Sequence, residues 1–259
     1  MLGGGIWTGN QIQILKLNII MTSFFSIQQT INKDLIKRNM DQEYREKFLV
    51  TAIYFAQLAY FNYAYIHKHL TQVGAESISV YDRHGVQAIF AEFDTFAVIS
   101  FKGREIDRWQ DLKTDLRFWK TYLNKFKVHS GFARSLSHVS KRLEIDLSEL
   151  APHKKILYTG HSLGGALAML MALQHRPTDV CTFGSPRVFN IEDTDRYFNG
   201  VNITRVHAEN DLVPNLPPIF TGYKHIGNSI SIAGKDTKWD SHKLVTYLRG
   251  IVKYDKDLS

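Results

Sequence analysis

Apolar and polar residues along this chain fall into short alternating runs in the first half and into strand-then-helix units in the second. Residues 28–46 are polar and charged with helical spacing. Residues 48–70 carry aromatic and aliphatic side chains (Tyr54, Phe55, Leu58, Tyr60, Phe61, Tyr65) on a stripe that suits a helix packed on a sheet. Three successive strands are predicted over 77–83, 86–93 and 95–101, separated by turn residues at 82–85 and 94. A helix over 131–150 presents Phe132, Leu136, Val139, Leu143 and Leu147 on one side. Further strands follow at 154–159, 179–183, 202–207 and 229–233, with helices after the first of these and at 241–252. Strands alternating with helices predict an α/β fold with a mainly parallel central sheet and helices on both faces. In such sheets ligands sit beyond the carboxyl ends of the strands.

The junction at 154–173 changes this from a fold to a chemical expectation. The apolar run Ile156-Leu157-Tyr158 leads into Gly160-His161-Ser162-Leu163-Gly164, and strong helix formers follow up to Leu173. A strand, a glycine-flanked serine and a helix together make a nucleophile elbow. Gly160 and Gly164 are needed because the turn is too sharp for a Cβ beside the neighbouring elements. The turn lifts the Ser162 Oγ clear of the sheet, and the helix aims its free N–H groups at the same spot. The bare G-x-S-x-G string is weak by itself; the strand before it and the helix after it give it weight.

A serine hydroxyl is a poor nucleophile at neutral pH and needs a base, which in turn needs an anion to fix its tautomer. With the elbow, the expected chain order is serine, acid, histidine, each at a strand end. The strand at 202–207 runs into Ala208-Glu209-Asn210-Asp211, and a stiff loop with Pro214, Pro217 and Pro218 follows. Asp211 is the predicted acid, with Glu209 as fallback. Two later histidines compete for the base. His225 precedes the last strand and His242 follows it, so His242 is the choice and His225 a structural hydrogen-bonding residue. His161, His129 and His207 are read as structural. An oxyanion needs two preorganised N–H donors. Leu163 supplies one, and the loop Lys102-Gly103-Arg104 supplies the other from the Arg104 amide.

Composition adds limits rather than direction. At 259 residues the chain can bury roughly three quarters of its unfolded surface, enough for one large core. The net charge of +7 fits attraction to an anionic surface, but basic residues occur mostly as singles and pairs, and a scattered solubility charge is the preferred reading. No basic stripe interleaved with aromatics points to nucleic acid. The lone Cys181 allows no intramolecular disulfide and reads as a small buried residue; a cytoplasmic location is expected, with secretion the alternative. No third ligand stands near His67 and His69, so no metal is expected, and no cofactor is implied. Residues 1–27 read as an N-terminal extension. Its apolar stretch at 17–25 is a poor signal peptide and too short for a membrane span, and Met21 offers an alternative start. Residues 28–259 are taken as a single domain.

Together these pieces resemble the class 3 lipases, the fungal-lipase-like branch of the α/β-hydrolase fold. Phe101-Lys102-Gly103 is similar to the family's F-R-G, 111–116 to its D-W-x-x-D-L, and Val128-His129-Ser130-Gly131-Phe132, 160–166, 182–188, 210–214 and His242 with Leu244 and Tyr247 follow in order. The resemblance covers about 50–252. It implies hydrolysis of acylglycerols or related carboxylic esters through Ser162, Asp211 and His242, and a lid over the acyl pocket within about 104–126, where Trp109, Leu112 and Trp119 are the lid or pocket candidates. An amphipathic lid hides apolar surface in water and shows it to a lipid interface, so transient interface contact is the implied partner besides the ester substrate. The chain departs from the family in Arg104, which stands where Thr or Ser usually assists the oxyanion hole, and in Lys102, Leu112 and Ala208. A phospholipase A1 or aryl-esterase with the same triad is the alternative activity. A catalytically silent lipid-binding module would have lost a triad member, and all three candidates are present.

Overall fold

The computed structural model describes residues 40–103, 119–190 and 194–258. The chain enters on helix α1 (Met40–Leu58) and helix α2 (Tyr63–Gln72), then lays down strands β1 (Ser77–Arg83), β2 (Val86–Glu92) and β3 (Phe96–Phe101) as an antiparallel meander. Strands β4 (Lys120–Leu123) and β5 (Phe126–His129) form a hairpin, followed by helices α3 (Ser130–Ser137) and α4 (Ser140–Glu149). Strand β6 (Lys155–His161) then feeds helix α5 (Leu163–Gln174), and β7 (Asp179–Phe183), the two-residue β8 (Phe189–Asn190) and helix α6 (Thr194–Tyr197) follow. The chain closes through β9 (Asn202–Ala208), β10 (Tyr223–Lys224), β11 (Asn228–Ile232), α7 (Lys238–His242) and α8 (Leu244–Leu258).

The large sheet has seven strands in the order β1-β2-β3-β6-β7-β9-β11, and every pairing from β3 onward is parallel. Side chains alternate across it with the two-residue period of a strand. Ala97, Ile99 and Phe101 face a core with Tyr158, Val180 and the apolar residues of α5, α3 and α4. Val98, Leu157, Cys181, Phe183 and Val206 face the opposite core, filled by α1, α2 and Tyr247 and Ile251 of α8. Helices therefore cover both faces, and the fold is an α/β-hydrolase. A second sheet of four strands, β10-β8-β5-β4, lies apart from the first.

Three predicted helices are divided. The helix expected over 48–70 breaks after Leu58, where the backbone tightens and the Asn62 side chain accepts from the Tyr65 N–H to start α2. The helix over 131–150 breaks at His138 and Val139; Ser135 and Ser137 hydroxyls donate to helix carbonyls there and the backbone closes in shorter turns. The helix over 241–252 starts earlier, capped by Thr237, and is interrupted at Lys243, whose backbone is extended. The C-terminal part of the lid candidate, from Lys120 to Phe126, is a hairpin whose β5 buries Phe126 and Val128 in the core. The extension at 1–27, the helical stretch at 28–39 and the rest of the lid candidate at 104–118 lie outside the described residues.

Candidate active site

Strand β6 and helix α5 meet at Ser162, whose φ of 57° and ψ of −125° are a backbone state non-glycine residues rarely hold. The neighbours explain the glycines. A Cβ on Gly160 would overlap the Gly164 backbone, and one on Gly164 would overlap the Phe101 carbonyl. The helix thus crosses the strand ends at backbone distance, and the Ser162 N–H is held by the Phe183 carbonyl at 2.9 Å. The strain is retained because the flanking strands and helix are hydrogen-bonded and buried.

Asp211 follows the carboxyl end of β9. One carboxylate oxygen accepts from the Val213 N–H at 2.9 Å, which ties it to the proline-rich loop. The other accepts from His242 Nδ1 at 2.8 Å and from the Tyr247 hydroxyl in a short hydrogen bond. His242 ends the single turn of α7, and its Nε2 lies 2.9 Å from Ser162 Oγ. A carboxylate can only accept, so Nδ1 carries the proton and Nε2 is bare toward the serine. That is the tautomer a general base requires. Ser162, His242 and Asp211 are all buried. The fallback acid Glu209 is exposed, and His225 instead reaches the Pro214 carbonyl at 2.7 Å.

A second imidazole stands beside the first. His161 and His242 ring centroids are 4.8 Å apart. His161 Nε2 faces the His242 carbonyl at 2.8 Å and its Nδ1 faces the Tyr60 hydroxyl at 3.0 Å. The carbonyl fixes Nε2 as the donor, so Nδ1 of the neutral ring accepts from Tyr60. Burial, aided by the neighbouring His242, pushes the His161 pKa down to about 3, and the ring stays neutral. The residue read as structural is therefore hydrogen-bonded at both nitrogens and pins the His242 backbone. Tyr60 also bounds the loop after β3, since a Cβ on Gly103 would overlap its hydroxyl and the His161 carbonyl. Sequence reading passed over Tyr60 and the bond from Tyr247; nothing in residue spacing marks two tyrosines distant from the elbow as its supports. Tyr247 stays a phenol, its pKa raised well above the ordinary value by burial and by the Asp211 charge.

Leu163 is the first residue of α5, so its N–H has no carbonyl one turn earlier to bond within the helix. Gly103 brings the loop after β3 against the elbow; Arg104 itself, with Trp109 and Leu112, lies outside the described residues. Trp119 is described, and its side chain is 70% exposed just before β4 of the small sheet. Among the described residues no group of His, Cys, Asp and Glu is placed to hold a metal ion.

A profile of the family described as Lipase (class 3) matches residues 98–221, the span from β3 through the elbow to the loop after Asp211. Over that span the chain is similar to the class 3 lipases. Lipase A of Sodiomyces alcalophilus is 39% identical over 132 residues, which is 42% of this chain and 32% of that protein. Secreted mono- and diacylglycerol lipase 1 of Fusarium solani is 39% identical over 110 residues, 38% of this chain and 32% of the relative. These matches span about a third of the length of the curated relatives. Among solved structures, a triacylglycerol lipase whose catalytic centre is described as a serine protease triad superposes with a TM-score of 0.61 at 25% identity, over 75% of this chain and 82% of that one. Arg104 after the F-x-G segment departs from the family pattern set out above, but Ser162, His242 and Asp211 keep the family's order and contact one another.

Proposed function

We propose that this chain is a serine hydrolase of carboxylic esters, with acyl lipids as its substrate class. One observation carries the reading: Ser162 Oγ, His242 Nε2, His242 Nδ1 and Asp211 form one hydrogen-bonded line with the imidazole in the proton-accepting tautomer. In the proposed cycle, Ser162 Oγ attacks the ester carbonyl carbon while His242 Nε2 takes its proton. The Leu163 N–H and, from the loop beyond Gly103, the Arg104 N–H receive the oxyanion. The intermediate collapses by breaking the carbon–oxygen ester bond, and the imidazolium returns its proton to the departing alcohol. Water repeats the sequence on the acyl-enzyme and frees the acid. Asp211 stays ionised and stabilises the imidazolium.

Lipases among the relatives support acylglycerols as substrates, and a phospholipase A1 or aryl-esterase with the same three residues is the second reading. A panel of esters varied in chain length and head group separates them. A relative named as secreted supports secretion over the cytoplasm for this chain as well; no helix of the described residues is long and apolar enough to cross a membrane. Labelling with a fluorescent alkyl phosphonate tests the enzyme itself. The native protein is expected to label at Ser162 and the Ser162→Ala variant not at all, and a native protein that stays unlabelled would overturn the proposal.

A further inference from the structure

A small recess lies where the two sheets meet. Ser185, Phe189 of β8, Arg205 of β9, His225 and Ile226 are among the residues that line it. Its volume of about 10 Å³ suits one guest of about the size of a water molecule. Arg205 shares a face of β9 with Ile203, which packs in the core with α5. Its Nε donates to the Ile226 carbonyl at 3.1 Å, and neither Nη group has a hydrogen-bond partner among the described residues. The Ser185 side chain is buried, and its hydroxyl reaches only the adjacent Pro186 carbonyl, at 3.1 Å. Thr182 stands opposite Arg205 in the β7–β9 register, on the same face of the sheet. Its hydroxyl is fully buried and has no partner at all.

The charges beside the recess are not balanced. Arg205 and Arg187 are both half-buried. Burial, and then the Arg187 charge, press the Arg205 pKa below its ordinary value. Among the described residues neither arginine forms an ion pair with a carboxylate. Asp211 and Glu209 favour the charge of His207, farther along β9, but do not act on the arginines. Arg187 spends Nη1 on the Asn215 and Pro217 carbonyls, and His225 gives its one proton to the Pro214 carbonyl at 2.7 Å. Neutral carbonyls accept hydrogen bonds but do not offset charge. A guanidinium drawn out of water is normally matched by an anion, because leaving it unmatched is costly.

We propose that the recess is a chloride site, with the ion held by the Arg205 guanidinium and the Ser185 hydroxyl. A monatomic anion meets both requirements, one negative charge and a body little larger than water. Phosphate and sulfate are too bulky to enter, and a water molecule would satisfy the donors without the charge. Bound there, chloride would join the segment after β7 to β9 and offset the repulsion between the two arginines. The inference goes beyond the hydrolase reading and stands without it, since binding an ion needs no ester cleavage.

Urea unfolding of the full chain at neutral pH and one fixed ionic strength tests it, with sodium chloride replacing sodium gluconate stepwise. The midpoint is expected to rise by about 0.5 M urea and then level off, as filling of a single site requires. Arg205→Gln keeps a donor for the Ile226 carbonyl but no charge, and the rise should vanish. Ser185→Ala should need about ten-fold more chloride for half the rise, the loss expected for one hydrogen bond to an ion. It decides the matter alone if Arg205→Gln does not fold. Crystals of the native protein grown in sodium bromide should show an anomalous peak beside Arg205. Equal midpoints in the two salts, the same chloride response in native protein and variants, or no bromide peak would each overturn the proposal. A bromide peak without a midpoint response would mean an adventitious ion only, and would overturn it too.

Discussion

The two sheets of this protein are held together by different means. In the large one, strands of five to seven residues pair over their whole length, and the inner strands β2, β3, β6 and β7 are largely buried. In the small one, two of the four strands are only two residues long, and side chains complete the work: Lys120 on Asn190 and Thr221, Arg187 on the loop carbonyls, the Tyr223 hydroxyl on Trp119. The first arrangement holds Ser162, His161, Asp211 and His242 to hydrogen-bond precision. The second tolerates exposed aromatic side chains. Chemistry sits where the backbone leaves no freedom, and the proposed ion where residues of both sheets line one recess.

Changes confined to the triad and its supports should therefore remove turnover and leave the chloride response alone. Asp211→Asn has the largest expected effect. An amide in place of the carboxylate lets His242 rest in the wrong tautomer, and kcat for a soluble ester should fall by about 10⁴-fold. The chloride response should be unchanged, and a parallel loss of both would collapse the distinction between the triad and the recess. Tyr247→Phe comes next. It deletes a donor to the buried Asp211 carboxylate while Val213 N–H and His242 still hold it. We expect kcat to drop about ten-fold with KM unchanged, the signature of an interaction that counts mainly in the transition state. A rise in KM with kcat intact would mean that Tyr247 only shapes the site.

Much of the large sheet is legible in sequence because its strands are long enough to show a period. The boundaries read at 77–83 and 179–183 coincide with the observed strands, and the others differ by one to three residues. The triad is legible for a related reason: the elbow needs its glycines, and the acid and base must each follow a strand. Two features could not be read. A two-residue strand such as Phe189–Asn190 leaves no period, so the small sheet went unseen. Tyr60 and His161 stand 101 residues apart, and their contact follows from how α1 crosses the sheet, which no local pattern records.

Acid should expose a last contrast, through two imidazoles, the buried His161 and the half-buried His225. His161, next to the triad, and His225, which holds the proline-rich loop at Pro214, both have pKa values pushed down to about 3 from the ordinary 6.5, in each case chiefly by burial. Their charged surroundings differ. His161 faces His242, which disfavours its charge, and Asp211, which favours it; His225 faces Arg205, Arg187 and His207, all disfavouring it. The unfolded chain takes up a proton at each below about 6.5, and the native protein refuses it until about 3. Their contribution to stability is thus fully present above pH 6.5 and declines as pH falls toward 3. One withheld proton gives a slope of at most about 1.4 kcal/mol per pH unit. His225→Gln keeps a side-chain donor for the Pro214 carbonyl but cannot titrate, so urea unfolding at a series of pH values should show a shallower acid slope by up to one proton. Because His225 lies outside the triad's contacts, soluble-ester turnover at neutral pH should not change. An unaltered slope would mean that the unfolded-state proton of His225 is matched in the native protein, and that the neutral imidazole inferred beside the small sheet is in fact charged.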